Sequence, residues 1–355
     1  MKHRPDPAHK ETERIIRQME MRLTAEYQQA AREVQDKLDD YLRRFAAKDR
    51  KWRKWVKEGE KTEKEYQQWR QGQIAVGERW ESLKDQLSAD LYKTDQIARG
   101  IIEGYKPEIY AINHNYGTYE IESGLGIDTS FTLYNREAVE RLMSENPDML
   151  PPPGKRVSAE IAKGKAIRWN RQHLQSAMIQ GILQGESIPA LATRIAQAVG
   201  DSDRKAAIRN ARTMATSAQN AGRIDAYQRA KDKGINLKQT WVATLDMRTR
   251  HEHRQLDGQT VEVGQPFKVD GYNLRFPGDP DGPGYLVYNC RCTVIGQVKG
   301  VEIDVTKTDI RSKAALKGMS YDEWKAEKQS ESNPIDLPEK KAKSIKGMYI
   351  SQYKR

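Results

Sequence analysis

Two short segments hold the residue types best suited to chemistry: Asp246-Met247-Arg248-Thr249-Arg250-His251-Glu252-His253-Arg254-Gln255-Leu256-Asp257-Gly258 and, further along, Asn289-Cys290-Arg291-Cys292. Two close thiols and one or two imidazoles are the ligand types that zinc prefers. Cys290 and Cys292 face one ion if the backbone turns between them, and His253 supplies a third ligand. His251 is the first candidate for the fourth position. It sits two residues from His253, on the opposite side of an extended segment, so Asp246 or a water is the alternative. The spacing is neither that of a zinc finger nor the paired-histidine pattern of a metalloprotease. Zinc held here is expected to be structural, and the competing reading is two buried free thiols beside a hydrogen-bonded histidine.

Catalysis finds less support in the same residues. Asp246, Asp257 and Asp279 are the carboxylates that a metal-dependent nuclease would need, but Gly258 and Pro280 follow two of them and point to turns. Serine nucleophile elbows, phosphate-binding glycine loops and dinucleotide fingerprints are absent from the sequence. The expectation is a non-enzymatic protein, with a metal-dependent nuclease as the alternative.

The 355 residues carry 61 basic and 50 acidic side chains, a net charge of +11, with a mean hydropathy of -0.88. No apolar run reaches membrane-spanning length, and the first residues lack the apolar stretch of a secretory signal, so a protein kept in a reducing cytosol is expected. A Cys-x-Cys pair is too close for an ordinary disulfide. Charge is uneven: residues 1–150 hold 26 basic and 28 acidic groups, whereas residues 151–235 hold 15 and 6. That basic stretch suits a polyanion. Arg204, Lys205, Arg209, Arg212, Arg223 and Arg229 are the candidate contacts to double-stranded DNA, and Lys205, Arg209 and Arg212 share a helical face. A structural ion pair is the other role for Arg212.

An α+β fold must position these residues. Residues 1–104 read as long helices with the apolar stripe Trp80, Leu83, Leu87 and Leu91. Trp52, Trp55, Trp69 and Trp80 are expected to pack, against neighbouring helices or another protein. Residues 105–154 read as a mixed connector, irregular or short-strand to about residue 135, then a helix capped by Asn135 that ends before the prolines 151–153. Residues 155–235 read as a basic helical bundle opened by Ser158, with Ala207, Ala211, Ala215 and Ala218 for close helix contact and breaks at Gly185, Gly200 and Gly234. Residues 236–299 form a small β-rich module with strands at 240–244, 259–263 and 293–298. Residues 300–355 form a linker, a short helix anchored by Trp324 and a polar tail containing Lys340, Lys341 and Lys343. Under this division the C-terminal half is expected to stay folded without residues 1–100.

Trp241, Asp246, Thr249-Arg250-x-x-His253-x-x-Leu256-Asp257-Gly258, Pro277-Gly278-Asp279-Pro280 and Asn289-Cys290-Arg291-Cys292 together resemble the C-terminal module of the phage Mu F-like minor head proteins, the phage head morphogenesis family. The resemblance extends to Gln180-Gly181-Ile182-Leu183-Gln184-Gly185-Glu186-Ser187, Ala211-Arg212-Thr213 and Asn220-Ala221-Gly222-Arg223, and covers roughly residues 160–298. Some relatives carry Cys-x-x-Cys where this chain has Arg250 and His253, which removes one thiol from the set. The resemblance implies a structural virion component in few copies, added during procapsid assembly in the host cytoplasm. It implies a place in the capsid interior or at the portal vertex, with portal, major capsid or scaffold proteins as partners. It also implies packaged DNA as a neighbour and no membrane during assembly, and, because related modules are sometimes fused to toxins, a toxin-like transferase as a further alternative.

Overall fold

The computed structural model describes residues 7–125, 131–151, 158–298 and 319–331. Most of the 300–355 linker and tail, with its lysine run, and residues 152–157, which include Pro152 and Pro153, lie outside them. The chain divides into two compact units: Glu20–Ile101 with Lys155–Ile208, and Met1–Met19 with Ile102–Gly154 and Arg209–Arg355. Helices α1 (Pro7–Arg43), α4 (Glu78–Leu125) and α7 (Ile188–Asp232) contribute residues to both.

The first unit is helical, adding α2 (Ala46–Lys57), α3 (Glu63–Ile74) and α6 (Ala159–Leu183) to parts of those three. Its core joins Val34, Leu38, Leu42, Trp80, Leu87, Leu91, Leu174, Met178, Leu191 and Ile195, so the tryptophan-led stripe is buried as its spacing predicts. Leu83 packs at its edge. Local signals set several ends. Thr62 and Glu65 form a reciprocal capping box on α3, Ser158 Oγ accepts from Ile161 N at 3.3 Å to start α6, and Gly185 takes φ +70° after it. The break expected at Gly200 does not occur, because α7 runs through it. A Cβ there would lie 3.1 Å from that of Ala31, so this glycine serves close helix contact rather than chain reversal.

The second unit corrects the connector reading. Residues 105–125 are helical, the end of α4, although Pro107 lies within it. Ile109, Tyr110, Asn113, His114, Tyr116, Thr118, Tyr119 and Ile121 are all buried, so the helix is enclosed on every side and tertiary burial overrides the β-like composition. Gly222 of α7 permits the approach of α4: a Cβ there would lie 2.5 Å from the Tyr110 carbonyl oxygen. Helix α5 (Arg136–Glu145) starts at Asn135, whose Oδ1 accepts from Ala138 N at 2.8 Å, as expected.

Strands β1 (Leu237–Val242), β2 (Thr260–Glu262) and β5 (Thr293–Val298) form an antiparallel sheet in the order β2-β1-β5, with Trp241 opposite Val294. A second ribbon pairs β3 (Phe267–Val269) with β4 (Tyr272–Leu274). Short helices α8 (His251–Leu256) and α9 (Gly284–Val287) sit in the connections. Helix α10 (Tyr321–Glu331) docks through Trp324, whose Nε1 donates to Glu122 Oε2 at 2.8 Å. The start of α1 also belongs here: Thr12 Oγ1 accepts from Asn113 Nδ2 at 2.8 Å, and Ala8 packs with Tyr116, Tyr119, Tyr321 and Trp324. Removing residues 1–100 would therefore cut into this core, contrary to the division read from composition.

Candidate metal centre

His253 lies on α8, and the two cysteines lie on the segment entering β5. The imidazole is fixed first: Nε2 donates to the Leu286 carbonyl at 2.9 Å, and the ring meets Trp241 edge to face with centroids 6.0 Å apart. With Nε2 holding the proton, the Nδ1 lone pair points at sulfur, 3.3 Å from Cys292 Sγ and 3.7 Å from Cys290 Sγ. All three side chains are buried, and their ligand atoms lie within 4.8 Å of one another. Tetrahedral zinc with ordinary Zn–N and Zn–S bonds places such atoms about 3.5 Å apart. The donor set, its spacing and the carbonyl behind Nε2 all fit that ion. Burial pushes the Cys290 thiol up, while a hydrogen bond from Cys290 lowers Cys292.

The fourth ligand is where the sequence reading fails. His251 begins α8 with its side chain outward, Nε2 lying 2.9 Å from Gln255 Nε2, because a two-residue step on a helix turns it away from His253. Asp246 is fully engaged elsewhere. Its carboxylate accepts both guanidinium nitrogens of Arg291 at 2.5 and 2.8 Å and also the Arg248 amide at 2.9 Å, and these bonds hold it well below the carboxylate range. Among the described residues, His253, Cys290 and Cys292 are the whole cluster.

The other two aspartates act in turns, as their neighbours suggest. Asp257 Oδ1 accepts from Ala243 N at 2.8 Å, and Asp279 receives Arg275 Nε and the amides of Arg275 and Asp281. Gly278 has φ +80°, and a Cβ there would lie 3.0 Å from Ser217 N, so this turn needs glycine twice over.

Asn220 is a motif residue in the sequence reading, which assigns no positioning role to it or to Thr216. Asn220 of α7 donates to the Pro277 and Cys292 carbonyls at 3.1 and 3.2 Å and accepts from Val294 N at 2.9 Å, tying the proline turn to the cysteine segment. Thr216 Oγ1 donates to the Cys290 carbonyl at 2.6 Å. Both stand among the small residues of α7, a pattern that suggested helix contact and not a bed for a metal loop.

The six expected DNA contacts separate. In the helical unit Lys205 is exposed and Arg204 is half-buried, paired with Asp201 at 3.2 Å. In the other unit Arg209 is exposed with its guanidinium 5.0 Å over Tyr288, Arg212 is half-buried, and Arg229 is half-buried over Tyr134. Arg223 is fully buried, with Nε donating to Asn113 Oδ1 and Nη1 to the Val294 carbonyl, both at 3.2 Å. It fastens α4, α7 and β5 and is withdrawn as a phosphate contact.

Comparison with known proteins follows the same residues. Residues 172–295 match the family model described as Phage Mu protein F like protein, so the resemblance read from the motifs holds over that segment. Over 258 residues the chain is 29% identical to minor head protein GP7 of Bacillus phage SPP1, covering 70% of this chain and 77% of that protein. It is 33% identical over 260 residues to an NAD(+) arginine ADP-ribosyltransferase, EFV, of Enterococcus faecalis, covering 72% and 51%. An uncharacterized protein of Haemophilus influenzae is 30% identical over 230 residues, covering 64% and 45%. The chain thus spans about half the length of the latter two. No solved structure matches. Among the described residues no helix is long and apolar enough to cross a membrane.

Proposed function

We propose that this chain is a non-enzymatic minor head protein of a double-stranded DNA bacteriophage, incorporated near the portal vertex during procapsid assembly and lying beside packaged DNA in the virion. The observation that carries the reading is the Mu F-like match over residues 172–295. That segment contains β1, β2 and the start of β5, the His253–Cys290–Cys292 cluster and the bed of α7 beneath it. The likeness to GP7, matched over most of that protein's length, supports a role in head morphogenesis. Portal, scaffold or major capsid proteins are the partners on this reading. On this reading the cluster holds a structural zinc, with buried His253, Cys290 and Cys292 as three ligands and a water in the fourth position.

The deciding experiment is cryo-electron microscopy of phage heads with symmetry relaxed at the portal vertex. Ordered density of this chain around the portal is expected, and heads assembled without it would overturn the reading.

A second reading, transferase chemistry, takes its support from the likeness to the ADP-ribosyltransferase. Half of that protein lies outside the match, and here Asp257 and Asp279 are consumed in turns. Labelled NAD(+) incubated with the chain and arginine-bearing acceptors separates the two readings, and transfer of label would establish the second.

A further inference from the structure

Helix α2 carries six cationic side chains against one carboxylate, a net of +5 in 12 residues, within a 150-residue stretch whose charges nearly cancel. The carboxylate, Asp49, is turned inward, accepting from Tyr66 Oη at 2.6 Å and Arg53 Nε at 2.9 Å. Arg50, Lys51, Lys54 and Lys57 remain exposed, and Arg50, Lys54 and Lys57 follow at four- and three-residue steps along one face. Lys54 meets Glu58 at 3.6 Å, while Arg50, Lys51 and Lys57 meet no carboxylate within 4.0 Å among the described residues.

Like charges one turn apart weaken a helix, and α2 also lacks a side-chain cap at Phe45. The opposite face holds it: Trp52 stacks on Trp69 with centroids 5.7 Å apart and planes at 14°, and on Tyr66 at 6.4 Å. The cationic face is therefore presented on a fixed frame without helping the fold. The rings are spent on one another and on cations, with Lys51 over Trp55 at 4.8 Å and Lys48 over Trp69 at 5.6 Å, which leaves no apolar wedge for a lipid surface. From Arg50 to Lys57 the helix rises about 10 Å, a length over which one DNA strand presents about three phosphates.

We propose that α2 is a docking surface for the phosphate backbone of duplex DNA, separate from the cations of α7. This rests on the reading of a head protein lying beside packaged DNA and names the surface that meets it.

The test uses the full chain and a mixed-sequence duplex, followed by fluorescence anisotropy between about 50 and 200 mM salt. The triple variant Arg50→Gln, Lys54→Gln, Lys57→Gln should bind at least about 10-fold more weakly, with a log–log salt slope shallower by about 2 to 3. Arg50→Lys with Lys54→Arg and Lys57→Arg should bind as the unaltered chain does, which separates charge from folding. Unchanged duplex binding by the glutamine variant overturns the proposal. If Lys205→Gln with Arg209→Gln abolishes binding in that case, DNA contact stands but lies on α7. Failure of the unaltered chain to bind duplex also overturns it, while incorporation into heads tests the wider reading independently. Binding to phosphatidylglycerol vesicles that the glutamine variant loses, with duplex binding intact, overturns it as well.

Discussion

Arg291 and Asp246 form a two-pronged ion pair across 45 residues of sequence, Nη1 to Oδ2 at 2.5 Å and Nη2 to Oδ1 at 2.8 Å. Arg291 stands between the two cysteines, and Asp246 opens the turn that leads into α8 and His253. The pair therefore holds the two halves of the His253–Cys290–Cys292 cluster in register. Arg291→Gln is expected to lower zinc affinity about 10-fold, as loss of a supporting partner behind metal ligands commonly does. Asp246→Asn should do the same, and the double variant should be no worse than either single one. Competition with a chromogenic chelator measures this, and additive losses would show that the two act separately.

The metal centre itself makes a sharper demand. Cys290→Ser, Cys292→Ser and His253→Ala should each abolish stoichiometric zinc, whereas His251→Ala should not, because His251 faces outward. Elemental analysis after metal-sparing purification, paired with melting curves in chelator, decides it. Less than about 0.2 zinc per chain, with no shift on chelation, would leave two buried thiols beside a hydrogen-bonded histidine.

How much of this was legible follows from the range of each signal. Caps, glycine stops and the Trp80–Leu91 stripe are local, and the chain obeyed them at Ser158, Asn135 and Gly185. Residues 105–125 misled because a helix enclosed on all sides shows no amphipathic period, and its tyrosines and Thr118 read as strand formers. Gly200 misled because close contact with Ala31 and a helix stop need the same residue. The members of the His253–Cys290–Cys292 cluster were readable from residue type, but the exclusion of His251 from it depended on α8 being helical. Arg223 was counted as surface charge because no local pattern shows that Asn113 and the Val294 carbonyl surround it.

Asp203 gives a pH test in the helical unit. Its side chain is buried, with Oδ2 lacking a hydrogen-bond partner, and burial followed by the nearby Asp95 charge pushes its carboxyl up to about 7. The folded chain therefore binds more protons than the unfolded chain between about pH 4 and 7. Stability from this group is present at low pH and is lost as pH rises through that window. Asp203→Asn should accordingly stabilise the protein by about 1 to 3 kcal/mol at pH 8 and by little near pH 4. Urea melts at the two pH values check it, and a benefit independent of pH would remove the assigned cause.

The contact between α4 and α7 has a steric test. Gly222→Ala would set a methyl group 2.5 Å from the Tyr110 carbonyl oxygen and 3.0 Å from His114 N, both backbone atoms of α4 that cannot swing aside. A loss of about 3 kcal/mol is expected. Gly72→Ala, on α3 with open space around it, should be neutral or stabilising, since alanine is the better helix former. Equal effects would mean that the two helices do not approach as closely as described.

The N-terminal residues supply the last test, because sequence and structure disagree about them. Composition assigns residues 1–104 to a separate helical region, yet the start of α1 lies in the unit that holds the sheet. Asn113 Nδ2 donates both to Thr12 Oγ1 at 2.8 Å and to the Ile109 carbonyl at 2.9 Å, while its Oδ1 accepts from the buried Arg223. Without Thr12 that network loses an acceptor next to a buried guanidinium, and Ala8 no longer covers Tyr116 and Trp324. Deleting residues 1–19 should therefore raise hydrogen exchange in β1 and β5, where Arg223 reaches the Val294 carbonyl, well beyond the deleted segment itself. Thr12→Val, which keeps the shape and removes the acceptor, should show the same pattern more weakly. Exchange in β1 and β5 that stays at its original level after the deletion would mean that the module is independent of the N-terminus, as composition suggested.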